Sequence, residues 1–328
     1  MKQNGINLFL ALAVSSVAIF TSCKRSKSED PAPTPVEEIK KKEVKQSDQT
    51  GSSAADDVLE DVNGFINNNV GGGSNKRTEA YNLPCGVVSV DSSTVGTTKT
   101  YKMKYGKESK CGYKRKSGLV TFQLINGTRF NEDSSKFKLT FTDYVVEVEA
   151  TNDIVKLNGY LTSTNTTGGY IWESVTAGKT LSQQIRGSFD VTYSNGVTKN
   201  KKYFQTRTWA SNNGWAGLSL TVNGDTLSDV SEIGRTLDGD YPYQTHILTP
   251  FTWSNCGTGF QGPYVLKVGK ARLDAVVPVL SPTYFQIEAG YNNTGTIISP
   301  TPVGTCEANT YKITTVLGTT TITQYQLY

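Results

Sequence analysis

The sequence predicts an all-β fold for most of its length, an antiparallel meander forming a curled sheet or a sandwich, and three observations carry that expectation. First, apolar residues recur with period two. Ile185, Gly187, Phe189, Val191 and Tyr193 alternate with Ser188, Asp190, Thr192 and Ser194, and the same holds for Val120, Phe122 and Leu124 and for Phe285, Ile287, Ala289 and Tyr291. Alternation of this kind sets one strand face on a core and the other toward water. Second, Asn126-Gly127, Asn195-Gly196 and Asn223-Gly224 fall between such runs, and Asn-Gly favours hairpins because both residues tolerate positive φ. A fourth pair, Asn158-Gly159, is flanked by Leu157 and Tyr160 and reads as the interior of one strand. Third, the chain is rich in Thr, Ser, Asn, Gly and Tyr, which suit strands and turns, while 36% hydrophobic residues suffice for a core.

In chain order, residues 1–22 read as a lipoprotein signal peptide. Behind Lys2 an apolar run from Ile6 to Phe20 ends in small residues before Cys23, the layout of a leader cleaved at a lipobox, which leaves Cys23 as a lipidated first residue. Phe20 stands where a branched aliphatic is commoner. The run is short for a hydrocarbon core of about 30 Å, and several acyl chains on one cysteine anchor firmly at about 0.8 kcal/mol per buried methylene. Residues 23–52 form a tether of Lys, Glu, Ser, Pro and Gln that cannot bury enough surface to order itself. Residues 53–70 hold a short amphipathic helix. Val58, Leu59, Val62, Phe65 and Ile66 share one face, Ser53 is placed to cap, and Asp56 and Asp57 suit the first turn. A helix this short is marginal alone, so it is expected to dock on the domain that follows, with binding a partner or lying on the membrane as the alternative. Residues 71–80, with Gly71-Gly72-Gly73, form a second joint, and 81–328 form the β domain.

Secretion gives the cysteines meaning. Besides Cys23 there are four, Cys85, Cys111, Cys256 and Cys306, an even number in an oxidising space, and four cysteines allow three connectivities. Cys85–Cys111 and Cys256–Cys306 are favoured because each closes a loop within one end of the chain. Inside the β region one run changes parity: Phe137, Leu139 and Phe141 are odd-numbered, whereas Tyr144, Val146 and Val148 are even. Both sets reach one face only through an extra residue, which predicts a bulge or bend near 142–144, or else two strands in different layers.

Several segments resemble a known group. The lipobox, tether and acidic helix precede Cys85 to Cys111, then Lys116-Ser117-Gly118-Leu119-Val120-Thr121-Phe122 and Phe141-Thr142-Asp143-Tyr144. Near the end come Gly304-Thr305-Cys306-Glu307, Tyr311-Lys312-Ile313-Thr314, Gly318 and Thr321-Ile322-Thr323. Together these resemble uncharacterised all-β surface lipoproteins of Bacteroidota. The resemblance implies an antiparallel β domain at the outer membrane and brings no known activity.

No catalytic set stands out. His246 is the single histidine, which excludes a multi-histidine zinc site and leaves any Ser-His-Asp arrangement dependent on one residue in a strand-like run. No Gly-rich phosphate loop occurs. Asp238-Gly239-Asp240 and Asn223-Gly224-Asp225 lack the fuller spacing of a calcium loop and read as turns. No cofactor or metal is expected, and the net charge of +4 is too mild to imply nucleic acid. Candidate ligand contacts are Tyr241, Tyr243 and Trp253, aromatic faces suited to sugar rings, and Lys102 and Lys104, which open a basic stretch continuing through a loop with Lys114, Arg115 and Lys116. The expectation is a non-catalytic lipoprotein of the cell envelope, anchored in the membrane through Cys23, that binds a glycan or a surface protein. A structural envelope component and a carboxylate-dependent glycosidase are the alternatives.

Overall fold

The computed structural model describes residues 51–70, 83–96, 98–107, 110–149, 152–237, 239–256, 264–277, 282–293, 298–300 and 310–327. Cys23, nearly all of the tether, the joint at 71–80 and Cys306 lie outside the described residues.

Among the described residues sixteen strands form one sheet. They are β1 (Val87–Val95), β2 (Thr98–Tyr105), β3 (Lys110–Cys111), β4 (Lys114–Asn126), β5 (Lys136–Val148), β6 (Asp153–Asn165), β7 (Leu181–Tyr193) and β8 (Thr198–Ser211). Then follow β9 (Leu218–Asn223), β10 (Val230–Arg235), β11 (Pro242–Asn255), β12 (Tyr264–Ala275), β13 (Thr283–Asn293), β14 (Ile298–Pro300), β15 (Thr310–Leu317) and β16 (Thr320–Leu327). Consecutive strands pair antiparallel along most of the path from β1 to β16. The meander is therefore a single curled sheet, and the sandwich alternative falls. Of the helices, α1 covers 51–65 and continues as a π turn, Ile66–Val70, while α2 is the short Ile171–Thr176. None of the described helices is long and apolar enough to cross a membrane.

The sheet curls around α1. Its apolar residues Val58, Leu59, Val62 and Phe65 are fully buried against β2 and β4 to β8, and Asn68 alone among residues 51–70 is exposed. Phe65, Tyr101, Phe122 and Phe130 meet ring to ring at 4.9–6.1 Å. The helix thus docks as expected but is already helical at 51, so Ser53 lies inside it and contacts Lys114 Nζ at 3.4 Å instead of capping.

The parity change in β5 is a bulge within one strand. Phe141 faces Gly159 and Tyr144 faces Leu157, so β5 carries one more residue than β6 there, and Phe137, Leu139, Phe141, Tyr144 and Val146 all stay buried. Asp143 adopts φ 46° at the bulge, and Gly118 opposite it has φ 101°, with no room for a Cβ beside the Asp143 carbonyl. Such insertions sharpen the bend that closes a sheet round a helix.

Asn195-Gly196 makes the tight β7–β8 turn and Asn158-Gly159 lies within β6. Asn223-Gly224 does something else. It leads from β9 to β10, which do not pair with each other; both lie between β8 and β11. From Asn223 to Glu232 the chain advances nine residues while β8 retreats three, from Thr206 to Tyr203. One strand position is thus filled by two short strands with a break between them.

Candidate functional site

The break is also where the core is incomplete. A cavity of about 80 Å³ lies between the first turns of α1 and the inner faces of β9 to β13. Val222 at the end of β9 and Ser231 at the start of β10 border it. Ile247, Phe251 and Trp253 from β11 and Leu273 from β12 supply much of its apolar wall, and Ser52, Ser53 and Asp56 of α1 supply part of its polar wall.

Beside the cavity, α1 is tied to the sheet by ion pairs. Asp56 and Glu60 form one i, i+4 pair and Asp57 and Asp61 another, so the helix carries two adjacent acidic stripes. One stripe faces β4, where Lys114 reaches Asp57 and Lys116 reaches Asp61, each at 2.7 Å, and Tyr105 of β2 donates to Asp61 at 3.0 Å. The other faces β8, where Arg207 pairs with Asp56 and with Glu60, the latter at 2.8 Å, and Tyr203 donates to Asp56. Ser52 donates to Glu232 of β10, which also pairs with Lys201 at 2.7 Å and accepts from Tyr243 at 2.6 Å. Arg207 and Lys201 are each only 1% exposed.

Burial dominates the titration of this cluster. It raises Asp56 although Arg207 pulls the other way, raises Asp61 against Lys116, and pushes Glu60 up to about 7. Burial also works to depress Lys114, but Asp57 and Tyr113 beside it outweigh that and raise it. Tyr203 is held well above the usual phenol range, by burial first and the Asp56 charge second.

The chemistry open to these groups is narrow. Ser52 and Lys201 approach to 3.3 Å, but Lys201 is salt-bridged and therefore a cation, not the neutral amine that could activate a serine. Glu232 has donors on both oxygens, which leaves it poorly placed to exchange a proton with a substrate. Among the described residues no group of His, Cys, Asp and Glu could hold a metal.

The candidates from the sequence are scattered. Trp253 is buried and lines the cavity, and Tyr243 is buried with its hydroxyl on Glu232. Tyr241 is half-buried against the core of β11 to β15. Lys102 and Lys104 are exposed on β2, opposite Asp91 and Ser89 of β1. The basic stretch does not continue as a loop: Lys114, Arg115 and Lys116 lie in β4, and Lys114 and Lys116 point inward, buried and ion-paired, because they share the even-numbered face of Val120, Phe122 and Leu124. His246 is half-buried on β11. Asp240 pairs with Lys199 and Arg235, and Asp225 with Arg186. Cys85 and Cys111 form a disulfide; Cys256 is disulfide-bonded too, while its expected partner Cys306 lies outside the described residues.

Sequence reasoning missed Lys201, Tyr203, Arg207, Glu232, Asp56 and Glu60 as one network. A signal existed: Lys201, Tyr203, Arg207 and Trp209 share one parity, as do Lys114, Lys116, Val120 and Phe122. Cations on the face that carries a strand's apolar residues call for buried anions. Compared with known proteins, the chain matches no family model, no curated protein and no solved structure.

Proposed function

We propose that this chain is a non-catalytic binding protein of the cell envelope, anchored through lipidated Cys23, and that it takes a small, largely apolar ligand at the break in its sheet. The observation that supports this reading is the apolar-walled cavity between α1 and β9 to β13. A concave, mostly apolar space with a few converging polar groups and perturbed carboxylates marks a candidate small-molecule site, and at about 80 Å³ this one takes a ligand of only a few heavy atoms. A surface glycan platform has less support, since Tyr243 and Trp253 are buried.

The test is mass action. A ligand that binds only the folded state raises the unfolding midpoint as its concentration rises. Titrating 1-propanol in the millimolar range into the full chain is expected to raise the midpoint, and Ala271→Leu, which puts a larger side chain on the cavity wall, is expected to abolish the rise. A midpoint that only falls with added propanol, in both chains alike, would contradict the reading. Mass spectrometry of protein from its own cells tests the anchor separately, through the acyl mass on Cys23.

A further inference from the structure

Two charged residues line the cavity at the break, and both are carboxylates, Asp56 and Glu232. Their surroundings differ. Glu232 receives Ser52 on Oε2 and both Lys201 and Tyr243 on Oε1. Asp56 receives Arg207 and Tyr203 on Oδ1, but its Oδ2 is buried without a hydrogen-bond partner, in a residue 1% exposed. A buried carboxylate oxygen without a donor is costly unless something supplies one. The charges are uneven as well. The ion pairs that hold α1 bring four carboxylates, Asp56, Asp57, Glu60 and Asp61, to three cations, Lys114, Lys116 and Arg207, and the Lys201–Glu232 pair beside them adds one of each.

Resting on the binding role proposed above, the geometry points to a primary ammonium as the head of the ligand, donating to Asp56 Oδ2, with a short apolar body against Ile247, Phe251, Trp253 and Leu273. A hydroxyl head meets the same oxygen with one hydrogen bond and no charge. A carboxylate head faces two like charges. The space limits the body: at about 80 Å³ it is smaller than the cavity of about 150 Å³ that admits benzene in an engineered protein core, so the ligand is an alkylamine-like molecule and not a long-chain lipid.

Calorimetric titration of the full chain at pH 7.5 with propylammonium, 1-propanol and propanoate varies the head on one three-carbon body, short enough for a space about half the size of one that admits benzene. Propylammonium is expected to bind at least tenfold tighter than propanol, and propanoate not at all. Asp56→Asn is expected to bring the first two within threefold of each other. Because that variant also loses a charge paired with Arg207 and can fail to fold, Ala271→Leu serves as the second: it leaves Asp56 and its partners in place and is expected to remove binding of both. Equal affinity for propanol and propylammonium overturns the ammonium assignment and leaves the apolar site standing. No binding by either overturns both, with ordered water as the occupant of the space.

Discussion

Strands β4 to β7, each thirteen residues long, close on the apolar side of α1, and β4 also pairs with its Asp57 and Asp61. Strands β8 to β13 meet its first turns and its other acidic stripe, Asp56 and Glu60, and there the sheet is broken and space remains. In the first half, Val58, Val62 and Phe65 reach between Phe122, Leu139 and Leu157, all at or near zero exposure. In the second, the helix offers Ser52, Ser53 and Asp56, side chains too short and too polar to fill what the six-residue β9 and β10 leave open. One helix thus serves as core filler on one side and as one wall of a cavity on the other, and the difference lies in its own residues as much as in the sheet.

The largest effect expected from breaking this comparison is on the acidic side. Arg207→Leu leaves Asp56 and Glu60 buried without their cation and should cost about 3–5 kcal/mol in urea unfolding. A loss below about 1 kcal/mol would mean that the pair contributes no more than an exposed one and that α1 is held by its apolar face alone. On the filled side, Phe122→Ala should cost about 3–5 kcal/mol, since its ring is packed by Phe65, Tyr101 and Phe130.

The pH response comes next and belongs to both acidic stripes of α1. Glu60 titrates near 7 when folded against an ordinary 4.5, with burial the main cause. Between those values the folded chain holds a proton that the unfolded chain has released, so stability falls as pH rises from 4.5 through about 7, by at most about 3 kcal/mol for this group. Asp56 and Asp61, also raised by burial, act in the same sense. Glu60→Gln should flatten the change in unfolding free energy between pH 5 and pH 8; an unchanged difference would remove Glu60 from the account.

The smallest effect is the sharpest contrast. Ala55, fully buried in α1 within the filled half, should lose about 1–3 kcal/mol when replaced by Leu, because a packed core resists added volume. Ala271→Leu on the cavity wall should be neutral or stabilising by less than about 1 kcal/mol. Equal losses at the two sites would mean that the halves are packed alike.

Much of the filled half was legible in the sequence. The shift from Phe141 to Tyr144 announced the bulge, Asn195-Gly196 its turn, and the spacing of Val58, Leu59, Val62 and Phe65 the buried face of α1. The cavity was not legible. Asn223-Gly224 carries the same two residues as the β7–β8 turn, and only the pairing of β8 and β11 on either side makes it the start of a break. The inward lysines and Arg207 were hidden for a related reason: a basic residue at an apolar parity looks like a solvated strand face until its anion arrives from a helix some 55 to 151 positions away.

Amide shift mapping of the full chain by ¹H–¹⁵N NMR during titration with 1-propanol tests most directly whether the broken half is a ligand site. Saturable shifts are expected at Val222, Ser231, Ile247 and Ala271, with Leu124, Phe141 and Leu157 unmoved. Shifts spread evenly over both halves, or none at the highest propanol concentration, would contradict the account.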